Sequence, residues 1–181
     1  MNKKLLLHTC CAPCSIVIVD ELKNKFDLMV FFYNPNIYPA EEYDKRKIEV
    51  VKVCEEWGVP MVDMDYDVEG WNKKVAKGLE LAEEGGVRCS LCFRFRLAKS
   101  AEYAAKNGFD YFASSLTSGR NKKAEAIHPI AQELAKYYGV KFYDVDWKSG
   151  GRQEKGREMV KERGIYRQNY CGCQYSLSKK I

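Results

Sequence analysis

Short apolar runs set the first map of this chain. Leu5-Leu6-Leu7 has no polar interruption, the mark of a strand buried on both faces. Runs at 28–33, 59–65, 109–114 and 141–145 read as further strands, the second ended by Asn34-Pro35-Asn36. Between them the period changes to that of a helix. Over 40–57, Ile48, Val51 and Cys54 fall three apart on one face, with Gly58 as a stop. Residues 71–84 are predicted helical up to the break at Gly85-Gly86. A helix over 90–107 turns Leu91, Phe95, Ala98 and Ala101 or Ala105 inward, and one over 123–138 carries Pro129 as an early kink. The first helix is predicted to open near Pro13, where a missing backbone donor is harmless, although Ile16-Val17-Ile18-Val19 locally favours a strand.

Strands alternating with helices predict an α/β fold: a parallel, Rossmann-like sheet with helices on both faces and strand order 3-2-1-4-5. Residues 1–181 are expected to form a single domain, with 148–181 a basic segment that completes the active site. In such a sheet the crevice opens at the C-terminal ends of strands one and four. The turn bearing Cys10 and Cys11 would then face the loop at 115–119.

Composition fits a globular domain, 46% hydrophobic and 30% charged, without repeats. The net charge of +5 is unevenly placed: from Lys148 onward nine Lys or Arg stand against three Asp or Glu. That basic tail points to a polyanionic partner such as nucleic acid, or else to a solvated helix face. The apolar start ends at His8, too short for a signal peptide, and no run approaches the ~18 residues of a membrane span. A cytoplasmic location without membrane attachment is therefore expected. In that reducing compartment clustered thiols bind metal or cycle electrons more often than they form permanent bridges.

The eight cysteines fall in four places: Cys10, Cys11 and Cys14; Cys54; Cys89 and Cys92; Cys171 and Cys173. Adjacent cysteines such as Cys10 and Cys11 make a strained disulfide, but their sulfurs can reach different irons of one cluster. Cys89 and Cys92, at a helix start, offer two converging thiolates whose pKa the helix dipole lowers. Two plus two ligands favour an iron-sulfur cluster, with four-cysteine zinc as the competing reading. Cys14 makes a second C-x-x-C with Cys11 and is kept as a second-tier ligand, a further metal site or a free thiol. Cys54 reads as a small buried hydrophobe. Cys171-Gly172-Cys173 can close into a small, easily reduced disulfide and so serve as an electron relay, or else add two metal ligands.

His8, at a strand end beside the cysteines, reads as a proton donor or as a structural partner of the backbone, and His128 as structural. Tyrosines among basic residues near the terminus are placed to stack on unpaired bases.

Taken together, His8-Thr9-Cys10-Cys11-Ala12-Pro13-Cys14, Phe32-Tyr33-Asn34-Pro35-Asn36-Ile37, Glu42-Tyr43 with Arg46, Cys89-x-x-Cys92-Phe93 with Arg96-Leu97, Ser114-Ser115-Leu116 and Tyr170-Cys171-Gly172-Cys173 resemble the cobalamin-independent epoxyqueuosine reductases. The resemblance implies a sheet of the adenine-nucleotide alpha-hydrolase-like type. It also implies the last step of queuosine synthesis, deoxygenation of an epoxide to an alkene on the wobble base of tRNA. It carries 4Fe-4S ligation onto Cys10, Cys11, Cys89 and Cys92 and a redox-active disulfide onto Cys171 and Cys173.

That chemistry needs two electrons and two protons, and a dithiol supplements a cluster that delivers one electron at a time. An iron of the cluster, or of an additional mononuclear site, is expected to act as a Lewis acid on the epoxide oxygen. His8, Tyr33 and Tyr38 are the candidate proton donors. Arg120, Lys122, Arg152, Arg157, Arg163 and Arg167 are the candidate phosphate contacts for an anticodon loop that splays out the modified base. A separate electron donor is required.

Two other readings compete. An ATP-using, iron-sulfur tRNA sulfur transferase would place a Ser-Gly-Gly-x-Asp-Ser style loop where Cys10-Cys11-Ala12-Pro13-Cys14 stands. A zinc-stabilised RNA-binding module would use Cys171 and Cys173 as extra ligands.

Overall fold

The computed structural model describes residues 2–119 and 122–177. β1 (Lys4–Thr9), β2 (Asp27–Phe32), β3 (Met61–Asp63), β4 (Tyr111–Ser114) and β5 (Lys141–Phe142) form one parallel sheet in the order β3-β2-β1-β4-β5. This is the predicted order. Register sets Thr9 of β1 beside Phe32 of β2, and His8 beside Ser114 of β4.

The helices are α1 (Ala12–Leu22), α2 (Ala40–Glu56), α3 (Val68–Trp71), α4 (Val87–Lys106), α5 (Ala124–Tyr138), α6 (Arg152–Glu162) and α7 (Gln174–Leu177). Alternation along β1 divides the core. Leu5 and Leu7 pack with α1, α2 and Val160 of α6, whereas Leu6 packs with α4 and α5. All three leucines are wholly buried, so β1 is the central strand its apolar run predicts. No described helix is long and apolar enough to cross a membrane.

Tertiary packing overrides local preference in α1. Ile16, Val17, Ile18 and Val19 all lie buried in the helix, where their burial outweighs the few tenths of a kcal/mol that each β-branched residue loses in helix propensity.

The predicted helix over 71–84 is largely absent. One α turn, capped by Asp67 accepting from the Gly70 amide at 2.8 Å, runs into a π turn at Asn72–Ala76. The chain then continues as turns to Gly86. Gly78 at φ +78° ends regular structure, and Leu81 is 99% exposed, so no apolar stripe holds a longer helix against the core. The outer strands β3 and β5 are also shorter than their apolar runs predict, because each has a neighbour on one side only.

Candidate metal and redox site

The C-terminal end of β1 delivers Cys10 and Cys11 to the start of α1, with Pro13 in the first turn and Cys14 one turn in. The three sulfurs lie within 4.8 Å of one another, a grouping able to hold a metal. The Cys10 and Cys11 sulfurs are 3.9 Å apart. Cys14, a second-tier candidate from sequence, is thus a full member of this group. Hydrogen bonds from Cys11 and Cys14 hold the Cys10 thiol well below its ordinary range, with Lys122 and Arg96 adding positive charge. Burial pushes Cys11 well above that range, and donation to Cys10 pushes Cys14 up to about 12. Of the three, Cys10 is thus the thiol that gives up its proton most readily.

Cys89 and Cys92 lie in the first two turns of α4. The Gly85 amide donates to the Cys89 sulfur at 3.2 Å, and the Trp71 indole N–H donates to the Cys92 sulfur at 3.4 Å. Burial raises the pKa of both thiols, overriding the lowering expected from the helix dipole. Neither sulfur falls within the compact spacing of the first trio.

Cys173 packs in a small core with Trp71, Val75, Ala76 and Cys92, and Cys171 lies within electrostatic reach of Cys89, Cys92 and Lys122. Three sequence-distant cysteine groups thus meet at one place. Cys54 lies in the main core as a small buried hydrophobe, but the buried face is rotated from the predicted one: its neighbours there are Val50 and Val53, whereas Ile48 is 51% exposed and Val51 only half-buried.

A cleft of about 740 Å³ opens over this meeting point, lined by Cys10, Cys14, Cys89, Cys171, Lys122 and Tyr170 among others. His8, Tyr33 and Tyr38, the predicted proton donors, do not line it. His8 is fully buried. Its Nε2–H donates to the Tyr33 carbonyl at 3.2 Å, which leaves Nδ1 to accept from the Ser114 hydroxyl at 3.0 Å. Burial and the nearby Arg96 charge lower its pKa to about 3, so it stays neutral and structural. Tyr33 is buried against Phe95, its hydroxyl pKa raised to about 12, and Tyr38 turns to solvent at 49% exposure.

The predicted phosphate contacts divide. Lys122 is buried in the cysteine site; desolvation opposes its charge, yet Cys10 and Cys171 hold its pKa above the ordinary range. Arg152 is engaged with Glu21 at 2.9 Å and Arg163 with Glu56 at 3.2 Å, fastening α6 and its exit to α1 and α2. Arg157 and Arg167 are exposed, line the cleft and have no ion-pair partner among the described residues. Arg120 lies outside the described residues.

Sequence reasoning assigned no role to several residues that build the site. Arg96, wholly buried, donates to Asn34 Oδ1 at 2.5 Å while Asn34 Nδ2 donates to the Thr9 carbonyl at 2.9 Å, bracing the end of β1. Gln168 Nε2 donates to the Cys11 sulfur at 2.9 Å. Arg96 interrupts the buried stripe of Phe93, Leu97, Ala101 and Ala104, which is rotated from the predicted face, since Leu91, Phe95 and Ala98 are only half-buried. Arg46 does the same among Tyr43, Val50 and Val53. A charge on a buried helix face requires a partner.

Comparison with known proteins agrees with this geometry. The sequence profile of the family described as epoxyqueuosine reductase QueH matches residues 5–179. The epoxyqueuosine reductase QueH of Histophilus somni is 43% identical over 178 residues, 97% of this chain and 73% of that protein. That of Acinetobacter baylyi is 42% identical over 96% of this chain and 80% of its own length. Among solved structures, a predicted tRNA methyltransferase subunit from Methanocaldococcus jannaschii superposes with a TM-score of 0.55 at 12% identity, covering 93% of this chain and 94% of that one. The U34-tRNA thiolase NcsA of Methanococcus maripaludis, solved with its 4Fe-4S cluster, gives 0.50 at 13% identity over 89% and 66%. These two likenesses establish the fold, and the relatives establish the family: the chain belongs to the epoxyqueuosine reductase QueH family.

Proposed function

We propose that this chain reduces epoxyqueuosine to queuosine at the wobble position of tRNA, using a 4Fe-4S cluster held by Cys10, Cys11, Cys89 and Cys92 and a redox-active pair formed by Cys171 and Cys173. The observation that carries the reading is the convergence of three cysteine groups on one cleft from β1–α1, α4 and the C-terminal segment. Cys14, whose sulfur lies within 4.8 Å of those of Cys10 and Cys11, is placed to stand in for Cys10 as a ligand or to hold an additional mononuclear iron beside the cluster.

The residues present fit such a group. Arg96 Nε, buried and within electrostatic reach of Cys10 and Cys92, has no partner among the described residues, and a cluster offers sulfur acceptors. When bound, a cluster supplies single-electron transfer at a potential set by its surroundings. Oxidation of the Cys171 and Cys173 thiols to a disulfide releases two electrons and two protons, the amounts consumed when the epoxide becomes an alkene and water. The disulfide must then be reduced by a separate donor. Lys122 Nζ and the Tyr170 hydroxyl, whose pKa burial raises to about 12, are protonated groups on the cleft wall at neutral pH.

A cleft of about 740 Å³ is large enough for a single nucleoside. Its entry requires the wobble nucleotide to leave the anticodon stack. Arg157 and Arg167 at the rim are the charges free to meet the flanking phosphates.

Anaerobic purification followed by iron, sulfide and zinc determination tests the metal assignment, with a broad band near ~400 nm expected. Stoichiometric zinc without iron overturns it. Cys171→Ser and Cys173→Ser are expected to abolish multiple turnover on tRNA bearing epoxyqueuosine, and full activity in either overturns the dithiol assignment.

A further inference from the structure

The pair Glu42 and Arg46 has no part in the chemistry above, yet it is among the most completely buried charge in the protein. Arg46 is 2% exposed and Glu42 7%. They stand one turn apart on α2, with Arg46 Nε donating to Glu42 Oε1 at 2.7 Å. Burying both charges is costly unless the remaining donors and acceptors are used. They are used on the C-terminal segment: Arg46 Nη1 donates to the Cys171 carbonyl at 3.0 Å and Nη2 to the Tyr170 carbonyl at 3.4 Å, while the guanidinium lies 5.1 Å from the Tyr170 ring centre. Tyr166 donates its hydroxyl to Glu42 Oε2 at 2.8 Å.

The rest of the loop is pinned in the same way. The Tyr38 amide donates to the Gly172 carbonyl at 2.8 Å, and Ser176 Oγ accepts from the Gly172 amide at 3.3 Å and donates to the Cys173 carbonyl at 2.7 Å. Gly172 sits at φ +135°, and a Cβ there would come within 3.0 Å of Arg46 Nη1. Every carbonyl from Tyr170 to Cys173 therefore has a fixed donor, two of them from one fork. All these bonds are made with Cys171 and Cys173 as free thiols.

We propose that Arg46, oriented by Glu42 and Tyr166, is a positioning residue. Its fork holds the Cys171-Gly172-Cys173 loop against the Cys89 and Cys92 side of the site in the open dithiol form. The proposal rests on the redox reading of Cys171 and Cys173. Closing that pair into a disulfide rotates the peptide units whose carbonyls Arg46 holds, so the clamp favours the dithiol and makes the disulfide a stronger oxidant, more readily returned to the reduced form by the donor. A lysine cannot take this place, because one ammonium lacks the planar fork that reaches Glu42 and two carbonyls together.

The test is the dithiol–disulfide equilibrium of Cys171 and Cys173 in the iron-loaded protein, read by anaerobic thiol trapping and peptide mass spectrometry in buffers of graded dithiothreitol ratio. Arg46→Lys keeps the charge and loses the fork. Glu42→Gln with Arg46→Gln leaves no buried charge behind. Tyr166→Phe loosens Glu42 alone and preserves both charges. The first two are expected to shift the equilibrium toward disulfide about tenfold, near 30 mV. Tyr166→Phe shifts it less, in the same direction, and kcat falls with KM for tRNA unchanged. An equilibrium equal to wild type in Tyr166→Phe and in whichever of the other variants retains its iron overturns the clamp. A wild-type protein whose Cys171 and Cys173 never interconvert during turnover overturns the redox reading and the clamp together.

Discussion

Gln168 Nε2 reaches the Cys11 sulfur at 2.9 Å although 157 positions separate the two residues. The contact ties the basic C-terminal segment directly to the thiol group at the end of β1, and the side-chain Oε1 of Gln168 is left buried without a partner among the described residues. An N–H donor on a ligand sulfur withdraws electron density and raises the potential of the metal group that sulfur binds. With Cys11 a ligand of the proposed cluster, Gln168→Leu is therefore expected to keep its iron, move the cluster potential to more negative values in a redox titration, and lower activity about tenfold.

Asn34 is the partner of the wholly buried Arg96 guanidinium, and it also holds the Thr9 carbonyl. Asn34→Ala leaves a buried charge short of an acceptor and a carbonyl short of a donor. A loss of about 2 kcal/mol is expected for the charge-assisted bond alone, measured by the shift in the denaturant midpoint. Asn107→Ala, at the exposed end of α4 where its side chain donates only to the Tyr103 carbonyl, serves as the control and should stay within about 0.5 kcal/mol.

Basic residues in the C-terminal segment do two different jobs, and salt separates them. Arg157 and Arg167 carry charge with no ion-pair partner among the described residues, so Arg157→Gln and Arg167→Gln should each reduce the slope of log affinity for tRNA against log salt by about 1. Arg163 is committed to Glu56, which it meets at 3.2 Å near the surface. Arg163→Gln should leave the slope unchanged and cost no more than about 1 kcal/mol of stability.

His8 gives the fold a defined acid sensitivity. Its pKa lies at about 3 in the folded protein against 6.5 for an unperturbed histidine, because burial and the Arg96 charge disfavour the imidazolium. Between those values the unfolded chain binds the extra proton and the folded one does not, so stability falls as pH drops below 6.5 and stops falling below about 3. From pH 7 to pH 5 this group alone removes about 2 kcal/mol. His8→Asn should show a smaller loss over that interval in parallel urea titrations. An equal loss would place the acid sensitivity elsewhere.

Strand order and the central place of Leu5-Leu6-Leu7 were legible in the chain, because side-chain period is a local property. Burial of β1 on both faces follows from an unbroken apolar run, and the connections between parallel strands leave few ways to order them. The helical reading of 71–84 failed where composition resembled a helix but nothing covered Leu81. The sorting of equivalent residues came from three-dimensional packing. His8, beside the cysteines in sequence, is held in the core by the Ser114 hydroxyl of β4 and the Tyr33 carbonyl, partners 106 and 25 positions away. Six basic residues looked alike along the chain, yet packing α6 on α1 commits Arg152 to Glu21 and leaves Arg157 at the cleft. The clamp of Arg46 on residues 170 and 171 joins groups more than 120 positions apart. No periodicity carries information over that separation; only the closing of the sheet and the return of the C-terminal segment across it bring those atoms within hydrogen-bonding distance.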